Sequence, residues 1–465
     1  METRYSRRSF LRMMAGASAA LTVAACAAPA PTPAPQPPAK APAAEPTKAA
    51  AAAPAATAAP AAAPQPKAGQ TKIQFMWWPV GGERGLKAMD AAMKPFEDAH
   101  PEFVVEKIPV AQNYFDKLVT MYAGGTPPDV HAVDNYNITE IADKGVVMDL
   151  EPLIAADKTF KLDEFFDAAL KESVWKSRRH ALPYIGSTRI MFYNIDLMEA
   201  KGLETPDKLW EKGQWTWDKM VEYARKLTDT SGGAAKTMYG FNDDRNIASG
   251  GLPNWIWGAK GDILNADMTK CLLNTPEAVA GIKFIQDLIH KEGVAPKADT
   301  MKDVDLVATG RIGMWMSWRG LSVGYRAFSY KWDVVPAPTG AAGKMTLYKG
   351  NSMCIAKATK IVDPSWQLAR HITGKEADQV YIMNGGATPR KDNLDTLMKS
   401  TPPQNNQYFY KPLNEGWTKM LPFNPKWREW TTESNKYFDR IFLDNEDVQK
   451  VMNEMVPVVE KILKA

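Results

Sequence analysis

Cysteine and histidine are scarce in this chain. Its 465 residues include three Cys and five His. The His residues are scattered and no CxxC or HExxH pattern occurs, so we predict no metal site. Cys271 and Cys354 lie in apolar segments, which favours two buried free thiols, although a disulfide between them stays open.

The signatures of nucleotide binding and of hydrolysis are missing as well. The sequence has no GxGxxG, P-loop or GxSxG pattern, and the SxxK at 173–176 stands without the SDN and KTG motifs that accompany it in acylating enzymes. The neighbouring carboxylates Asp243 and Asp244 are expected in a solvated loop. We therefore predict a protein that is not an enzyme and uses no cofactor, and we keep an exported hydrolase as the alternative.

A basic stripe of the kind that binds nucleic acid is absent too. The formal net charge is +4, and Arg4, Arg7, Arg8 and Arg12 against Glu2 account for three of these charges. The remaining chain is close to neutral, and its basic residues are not interleaved with aromatic ones. Nucleic acid is therefore not an expected partner.

The first 26 residues have the features of an export signal. A basic start is followed by an apolar run at 13–25 that is too short for a settled membrane span. The segment SRRSFLR at 6–12 resembles the twin-arginine signal, and VAAC at 23–26 resembles a lipobox. These resemblances imply a signal peptide at 1–25 and lipidation of Cys26, which would anchor the protein at the outer face of the cytoplasmic membrane. A plain secretory signal is the alternative.

The rest of the chain divides into a tether and a folded part. Residues 26–70 are mostly Ala and Pro, a composition that cannot bury a core and that predicts a semi-stiff tether. From Thr71 onward strand and helix patterns alternate, which predicts an α/β fold with mainly parallel sheets. Thr216 and Thr275 are predicted helix N-caps, a capping box is predicted to open a helix at Asn137, and 303–308 is predicted to form a short helix.

The stretch at 181–194 is predicted to carry the chain from one domain into a second. An extended entry containing Pro183 is followed by a small-residue turn and then by an apolar strand. We expect Tyr184 and Ser187 to face a cleft between the two domains.

Aromatic residues are abundant at the predicted strand ends and in loops, with 15 Trp and 15 Tyr in the chain. Ligands of α/β sheets bind beyond the carboxyl ends of strands, and aromatic faces beside a few polar groups suit a sugar. Core packing is the alternative for any single Trp. The candidate binding residues on this pattern are Trp78, Asp134, Asn135, Tyr136, Tyr184, Ser187, Trp255, Trp257, Trp318, Arg319, Arg390 and Trp427.

A series of short segments resembles the extracellular solute-binding proteins of ABC importers, in the sugar-binding family that includes maltose-binding protein. In chain order they are FMWW at 75–78, KPFEDAHP at 94–101, GGTPPDV at 124–130, LPY at 182–184, WTWD at 215–218, NTPEA at 274–278, TGRIGM at 309–314, VPAP at 335–338, GNSMCI at 350–355 and GGATPR at 385–390. The resemblance covers residues 71–465.

This resemblance implies a two-lobed periplasmic-binding-protein fold of type II with the ligand cleft between the lobes. The first lobe would comprise 71–183 plus 338–387, and the second 184–337 plus 388–465, with hinges near Pro183, 336–338 and 388–389. A monomeric, extracytoplasmic protein would close around a mono- or oligosaccharide and deliver it to ABC permease subunits.

The resemblance also bears on individual contacts. Trp78 and Pro79 match the exit of the family's first strand, which implies that Pro79 is a ligand contact beside Trp78. Ser187 stands where maltose-binding protein has an acidic sugar contact, which argues against a maltose-like grip. Arg319 and Arg390 could bind a carboxylate or a phosphate, so sugar phosphates and organic anions stay open as alternative ligands. A peptide ligand, or a sensing role with a membrane kinase, also stays open.

Overall fold

The computed structural model describes residues 66–79, 82–297, 300 and 304–465. The predicted signal peptide, Cys26 and the predicted tether as far as residue 65 lie outside the described residues. Within the described ranges, no helix combines the length and the apolar character needed to cross a membrane.

The strands alternate with helices along most of the chain, as the sequence predicted. The strands are β1 Thr71–Trp77, β2 Phe103–Pro109, β3 Val130–Asp134, β4 Val174–Trp175, β5 Arg178–Arg179, β6 Leu182–Asn194, β7 Tyr239–Asn242, β8 Ile312–Trp318, β9 Trp332–Val335, β10 Thr346–Ile355 and β11 Thr418–Lys419.

The helices pack on the faces of the sheets. They are α1 Glu83–Ala99, α2 Tyr114–Ala123, α3 Asn135–Asp143, α4 Glu151–Ala156, α5 Asp167–Glu172, α6 Ile195–Ala200, α7 Pro206–Glu211, α8 Trp217–Leu227, α9 Gly251–Gly258, α10 Pro276–His290, α11 Ser322–Tyr325, α12 Val362–Ile372, α13 Lys375–Met383, α14 Leu394–Lys399, α15 Lys411–Glu415, α16 Trp427–Phe442 and α17 Val448–Lys464.

Two predicted helix starts are confirmed by their caps. The Thr216 side chain accepts a hydrogen bond from the Lys219 amide, and Thr275 does the same for Ala278 ahead of α10. Such caps contribute about 1 kcal/mol each. The helix predicted to open at Asn137 begins two residues earlier, and residues 306–310 form turns where a short helix was predicted at 303–308.

The strands follow the order β2-β1-β3-β10-β6-β8-β7. β1 pairs in parallel with β2 and β3, and β7 pairs in parallel with β8, as strand–helix–strand units require. The ladders of β10 with β3 and with β6, and of β6 with β8 and β9, are antiparallel. The strand–helix–strand units are thus parallel, while β6 and β10 run antiparallel to each other and to β3, β8 and β9; the short β11 pairs in parallel with β10.

β6 and β10 join two lobes. The first part of β6 pairs with β10, and its second part pairs with β8 and β9. On one side of this junction, buried apolar residues gather around β1, β3, α1 and α12 to form the core of the first lobe. On the other side, a larger cluster around β8, α8, α10, α16 and α17 and a smaller one around β6, β8 and β9 form the core of the second lobe. The sequence predicted an extended entry, a turn and then a strand at 181–194, whereas β6 is one continuous strand from Leu182 to Asn194 that runs from the first group of clusters to the second.

Residues 339–349 pack with the second lobe, although the sequence placed them in the first. The Thr339 amide donates to the Trp215 carbonyl at 2.9 Å, and the Leu347 amide donates to the Asn254 side chain at 2.7 Å. The chain therefore stays in the second lobe after residue 338, and the first residues of β10 belong to that lobe. We place the second crossing near Gly350.

Candidate functional site

The floor of a cleft between the lobes is built where β6 and β10 cross. Ser187 lies opposite Lys349 in this ladder, and Ile185 lies opposite Asn351. Residues that face each other across a ladder, and their neighbours two positions along, share one face of the sheet. These four residues line a cavity of about 250 Å³.

The walls of the cleft are aromatic and come from both lobes. Trp78 follows β1 in the first lobe and packs edge-on against Tyr114, with ring centroids 4.8 Å apart. Trp318 ends β8 in the second lobe, and its ring contacts the Arg189 guanidinium at 5.4 Å and the Lys349 ammonium at 5.7 Å. A ligand in the cavity is therefore offered an indole from each lobe.

Asp134 supplies the carboxylate of the cleft. The Tyr136 hydroxyl donates to its Oδ2 at 2.9 Å, and the Asn351 amide, oriented with its nitrogen towards the carboxylate, donates to Oδ1 at 2.8 Å. These two bonds hold Asp134 in place. Because a carboxylate oxygen can accept a second hydrogen bond, Asp134 retains acceptor capacity for ligand hydroxyls.

Two cations also line the cleft. The Lys349 ammonium lies 5.1 Å from the centre of the Tyr136 ring, and within the described residues no carboxylate lies within 4.0 Å of it. Arg84, at the start of α1, donates from Nη1 to the Val323 carbonyl at 2.8 Å. Lys349 thus stands over aromatic faces with donors available to a ligand.

The lobes touch each other on both flanks of the cleft. On one flank Arg84 of the first lobe reaches the Val323 carbonyl of the second. On the other flank Arg428 of α16 forms a 2.7 Å ion pair with Asp116 of α2, and Tyr136 lies 6.5 Å from Trp427 between ring centroids. The cleft is therefore bridged at both ends.

The structure brings six of the predicted site residues to the cleft. They are Trp78, Pro79, Asp134, Tyr184, Ser187 and Trp318. Tyr136 touches this set by its bond to Asp134. Asn135 lies behind the wall, where its amide donates to Glu172 Oε2 at 2.7 Å and accepts from the Ser352 hydroxyl at 2.8 Å.

Three predicted tryptophans lie in the core of the second lobe. Trp255 and Trp257 belong to α9, and their indole N–H groups donate to Asp243 at 2.8 Å and to Asp262 at 3.0 Å. Trp427 packs edge-on against another tryptophan of α16. The structure does not bring these three to the cleft, because their indoles fill the interior between helices.

The two predicted arginines are also buried and are fully engaged. Arg319 donates to Asn406 at 3.0 Å, to the Ser322 hydroxyl at 2.7 Å and to the Gly385 carbonyl at 2.7 Å. Arg390 bridges Glu164 and Asp392. Neither guanidinium lines the cleft, so neither is placed to grip an acidic group of a ligand there.

The sequence reasoning missed several residues of the cleft. Lys349 and Asn351 lie on either side of the buried Gly350 in β10, and this alternation of residues is the signal that could have indicated one exposed face. The others include Arg84, Tyr381 and Asn384, which come from segments with no distinguishing pattern of their own, and Ile185, which lies inside the stretch at 181–194 that the sequence had singled out.

The described residues also bear on the predictions about metal binding and cysteine pairing. Among them, no group of three or more potential metal-binding side chains is found. Cys271 and Cys354 are free and buried, which confirms the thiol interpretation, and burial raises the pKa of both.

Comparison with known proteins agrees with this architecture. The family model for bacterial extracellular solute-binding proteins matches residues 81–379, which is more than half of the chain. A protein of Brucella abortus (strain 2308) named as a binding protein is 22% identical over 79% of this chain and 90% of its own length. An arabinooligosaccharide-binding protein of Bacillus subtilis is 24% identical over half of each chain.

Solved structures share the fold. An ABC substrate-binding protein of Listeria monocytogenes in complex with cycloalternan superposes with a TM-score of 0.76, at 24% identity, over 85% of this chain and 99% of that one. The structural similarity supports the fold, and the match to the family model identifies the family. The chain belongs to the family of bacterial extracellular solute-binding proteins.

Proposed function

We propose that this protein captures a carbohydrate in the cleft between its lobes and delivers it to the membrane subunits of an ABC importer. The observation that carries the proposal is the pair of indoles, Trp78 from one lobe and Trp318 from the other, above a polar floor. A sugar ring has apolar C–H faces for the indoles and hydroxyls at its rim for polar side chains.

The polar groups of the floor suit neutral hydroxyls. Asp134 accepts hydrogen bonds, Lys349 donates them, and Ser187 does both. A micromolar dissociation constant corresponds to ~8 kcal/mol, which two aromatic contacts and a few hydrogen bonds of ~1 kcal/mol can supply.

A neutral sugar is favoured over the alternative of an anionic solute. The guanidinium groups of Arg319 and Arg390, which kept sugar phosphates and organic anions open, are buried outside the cleft. Of the two cations in the described lining, Arg84 is engaged by the Val323 carbonyl, and the charge of Lys349 is offset by the Asp134 carboxylate. The carbohydrate ligands named for the Listeria and Bacillus relatives support the same class.

Binding is favoured over hydrolysis for a related reason. Glycosidases use two carboxyl groups on either side of the scissile bond. Around the cleft, the described lining includes a single carboxylate, Asp134.

The export features of the N-terminus complete the proposal. A monomer tethered through lipid on Cys26 would capture solute outside the cytoplasmic membrane. Replacing Cys26 with Ser should move the protein from the membrane fraction to the soluble fraction of the cells that make it. Persistence of the variant in the membrane fraction would contradict the anchor.

Ligand binding is tested by the unfolding temperature and the Trp fluorescence of the purified protein with a sugar panel. Cycloalternan, arabinooligosaccharides and maltose form the carbohydrate arm, and a sugar phosphate and a peptide form the other. Ligand at 100 times its dissociation constant stabilises the folded state by ~2.7 kcal/mol. Trp78→Ala should weaken binding at least tenfold, and Trp417→Ala, outside the cleft, should not.

The outcomes separate the parts of the proposal. A response only to the sugar phosphate or the peptide would contradict the carbohydrate class and leave the cleft in place. Equal affinities of wild type and Trp78→Ala would contradict the cleft itself. Uptake of the labelled sugar that depends on this gene supports delivery, while intact uptake in its absence supports sensing.

A further inference from the structure

The ring of Tyr136 belongs to the first lobe but packs on the second. Tyr136 lies in the first turn of α3, and its ring centroid is 6.3 Å from that of Phe423 and 6.5 Å from that of Trp427. Both distances are within the range over which aromatic rings attract one another. The side chain thereby joins the large hydrophobic cluster of the second lobe. Two rings of one lobe therefore hold a side chain of the other.

A cation of the second lobe contacts the same ring. The Lys349 ammonium lies 5.1 Å from the centre of the Tyr136 ring, which is close enough for a cation–π attraction. Lys349 precedes the crossing of β10 near Gly350, so it belongs to the second lobe. All three contacts of the ring would be lost if the lobes moved apart, and the ring would then be free to turn.

The hydroxyl of Tyr136 points back to the cleft. It donates to Asp134 Oδ2 at 2.9 Å, and Asp134 lines the cleft, whereas Tyr136 is not found in the described lining. Burial and the neighbouring Asp134 carboxylate raise the pKa of Tyr136, so the hydroxyl keeps its proton and remains a donor. Tyr136 therefore acts on the cleft through Asp134.

The orientation of Asp134 depends on this hydrogen bond. The Asn351 amide holds Oδ1 from the crossing, and the Tyr136 hydroxyl holds Oδ2. The last torsion of an Asp side chain is soft, so one hydrogen bond alone does not fix the directions of the two oxygens. Loss of the bond from Tyr136 therefore leaves the carboxylate free to rotate.

We infer that Tyr136 is a positioning residue through which the second lobe orients the carboxylate of Asp134. The ring, held by Phe423 and Trp427, aims the hydroxyl, and the hydroxyl sets the direction from which Asp134 accepts a ligand hydroxyl. The cleft thus presents its carboxylate in the binding orientation while the lobes are together. This rests on the proposed carbohydrate function, and it gives Tyr136 a different task from the direct contact that the sequence predicted.

A double-mutant cycle tests whether Tyr136 acts through Asp134. Calorimetry measures the dissociation constants of cycloalternan, maltose and arabinotriose for wild type, Tyr136→Phe, Asp134→Ala and the double variant. For the sugar that binds, Tyr136→Phe keeps the ring and should weaken affinity about three- to tenfold, the value of one hydrogen bond. In the Asp134→Ala background the same substitution should change affinity by less than about twofold, because no carboxylate remains to be oriented.

Fluorine NMR without any sugar tests the role of the second lobe. The protein is labelled with meta-fluorotyrosine, and the Tyr136 signal is identified by its loss in Tyr136→Phe. Phe423→Leu removes an aromatic contact outside the cleft, and it should shift this signal and weaken binding of the same sugar about twofold or more. Phe438→Leu is the matched control and should do neither, since Phe438 is buried in the same cluster but packs against Phe442.

The outcomes separate this inference from the function on which it rests. Additive losses in the cycle, or a Tyr136 signal that Phe423→Leu leaves in place, would overturn the positioning role and leave carbohydrate binding intact. Absence of binding by all three sugars, with a response to the peptide instead, would overturn the carbohydrate function and this inference with it.

Discussion

Glu172 is a buried carboxyl group directly behind the cleft. Its Oε2 accepts a hydrogen bond from the Asn135 amide, and its Oε1 is buried without a partner in the described structure. Burial raises the pKa of Glu172 to about 8, and Asp134 adds to the rise. The Asn135 amide, the Lys349 charge and the Gly350 backbone N–H oppose it.

The raised pKa makes the protein less stable as the pH rises. Between pH 4.5 and about 8 the folded state keeps a proton on Glu172 that the unfolded chain has released. Stability from this group is complete below pH 4.5 and is lost as the pH rises through 8, by up to ~1.4 kcal/mol per unit. Over the whole window the loss is up to about 5 kcal/mol. Tyr348, which also faces Glu172, stays neutral here because its own pKa is raised.

Replacing Glu172 with Gln removes this titration and keeps the size of the side chain. We expect the variant to exceed wild type in free energy of unfolding by an amount that grows by ~1 kcal/mol or more per pH unit between pH 5 and 8. Urea unfolding at four pH values measures it. Asp378, whose pKa is raised to about 7, titrates in both proteins and cancels in the difference. Parallel stability curves for the two proteins would refute the reasoning.

Three further substitutions test the framework of the cleft. Asp243→Asn deprives the buried Arg189 of its buried carboxylate partner and should lower the free energy of unfolding by ~3–5 kcal/mol in urea titrations. Gly186→Ala places a methyl group 1.9 Å from the Tyr348 hydroxyl and should cost ~1–3 kcal/mol, measured by thermal unfolding. Arg428→Ala breaks an exposed contact between lobes and should change the free energy of unfolding by less than ~1 kcal/mol in urea titrations.

Each substitution has a control in an exposed or open position. Glu222→Gln removes an exposed ion pair with Lys226, Gly324→Ala adds a methyl group where nothing lies within 4 Å, and Lys283→Ala breaks an exposed pair within one helix. Equal losses for Asp243→Asn and Glu222→Gln, or for the two glycine variants, would contradict the burial arguments. A much larger effect of Arg428→Ala than of Lys283→Ala would contradict a weak contact between the lobes.

The sequence predicted those features that depend on neighbouring residues. The caps at Thr216 and Thr275 and the strand at 181–194 were identified because capping and strand patterns extend over a few positions. Asp243 shows the limit of such reasoning. It was expected in a solvated loop, and it is buried because Arg189, from a distant strand, pairs with it.

The tryptophans of α9 show a second limit. The segment GLPNWIWG is apolar on all sides and every residue in it is buried, so it has no polar face to produce a helical period. Trp255 and Trp257 therefore resembled exposed loop residues. The prediction that Arg319 lies at the cleft was wrong for another reason. Its partner Asn406 lies 87 positions away, so the sequence around Arg319 gives no sign of the pairing.

The position of β10 has a consequence for biosynthesis. β10 lies between β3 and β6 but is synthesised long after both. In the nascent chain, β3 and β6 therefore each lack a pairing partner along one edge until Ile355 has emerged. Unpaired edges invite association with other chains, and contacts between distant parts of a chain form slowly. The first lobe therefore matures only when most of the chain has left the ribosome, and fragments that end before Thr346 should aggregate.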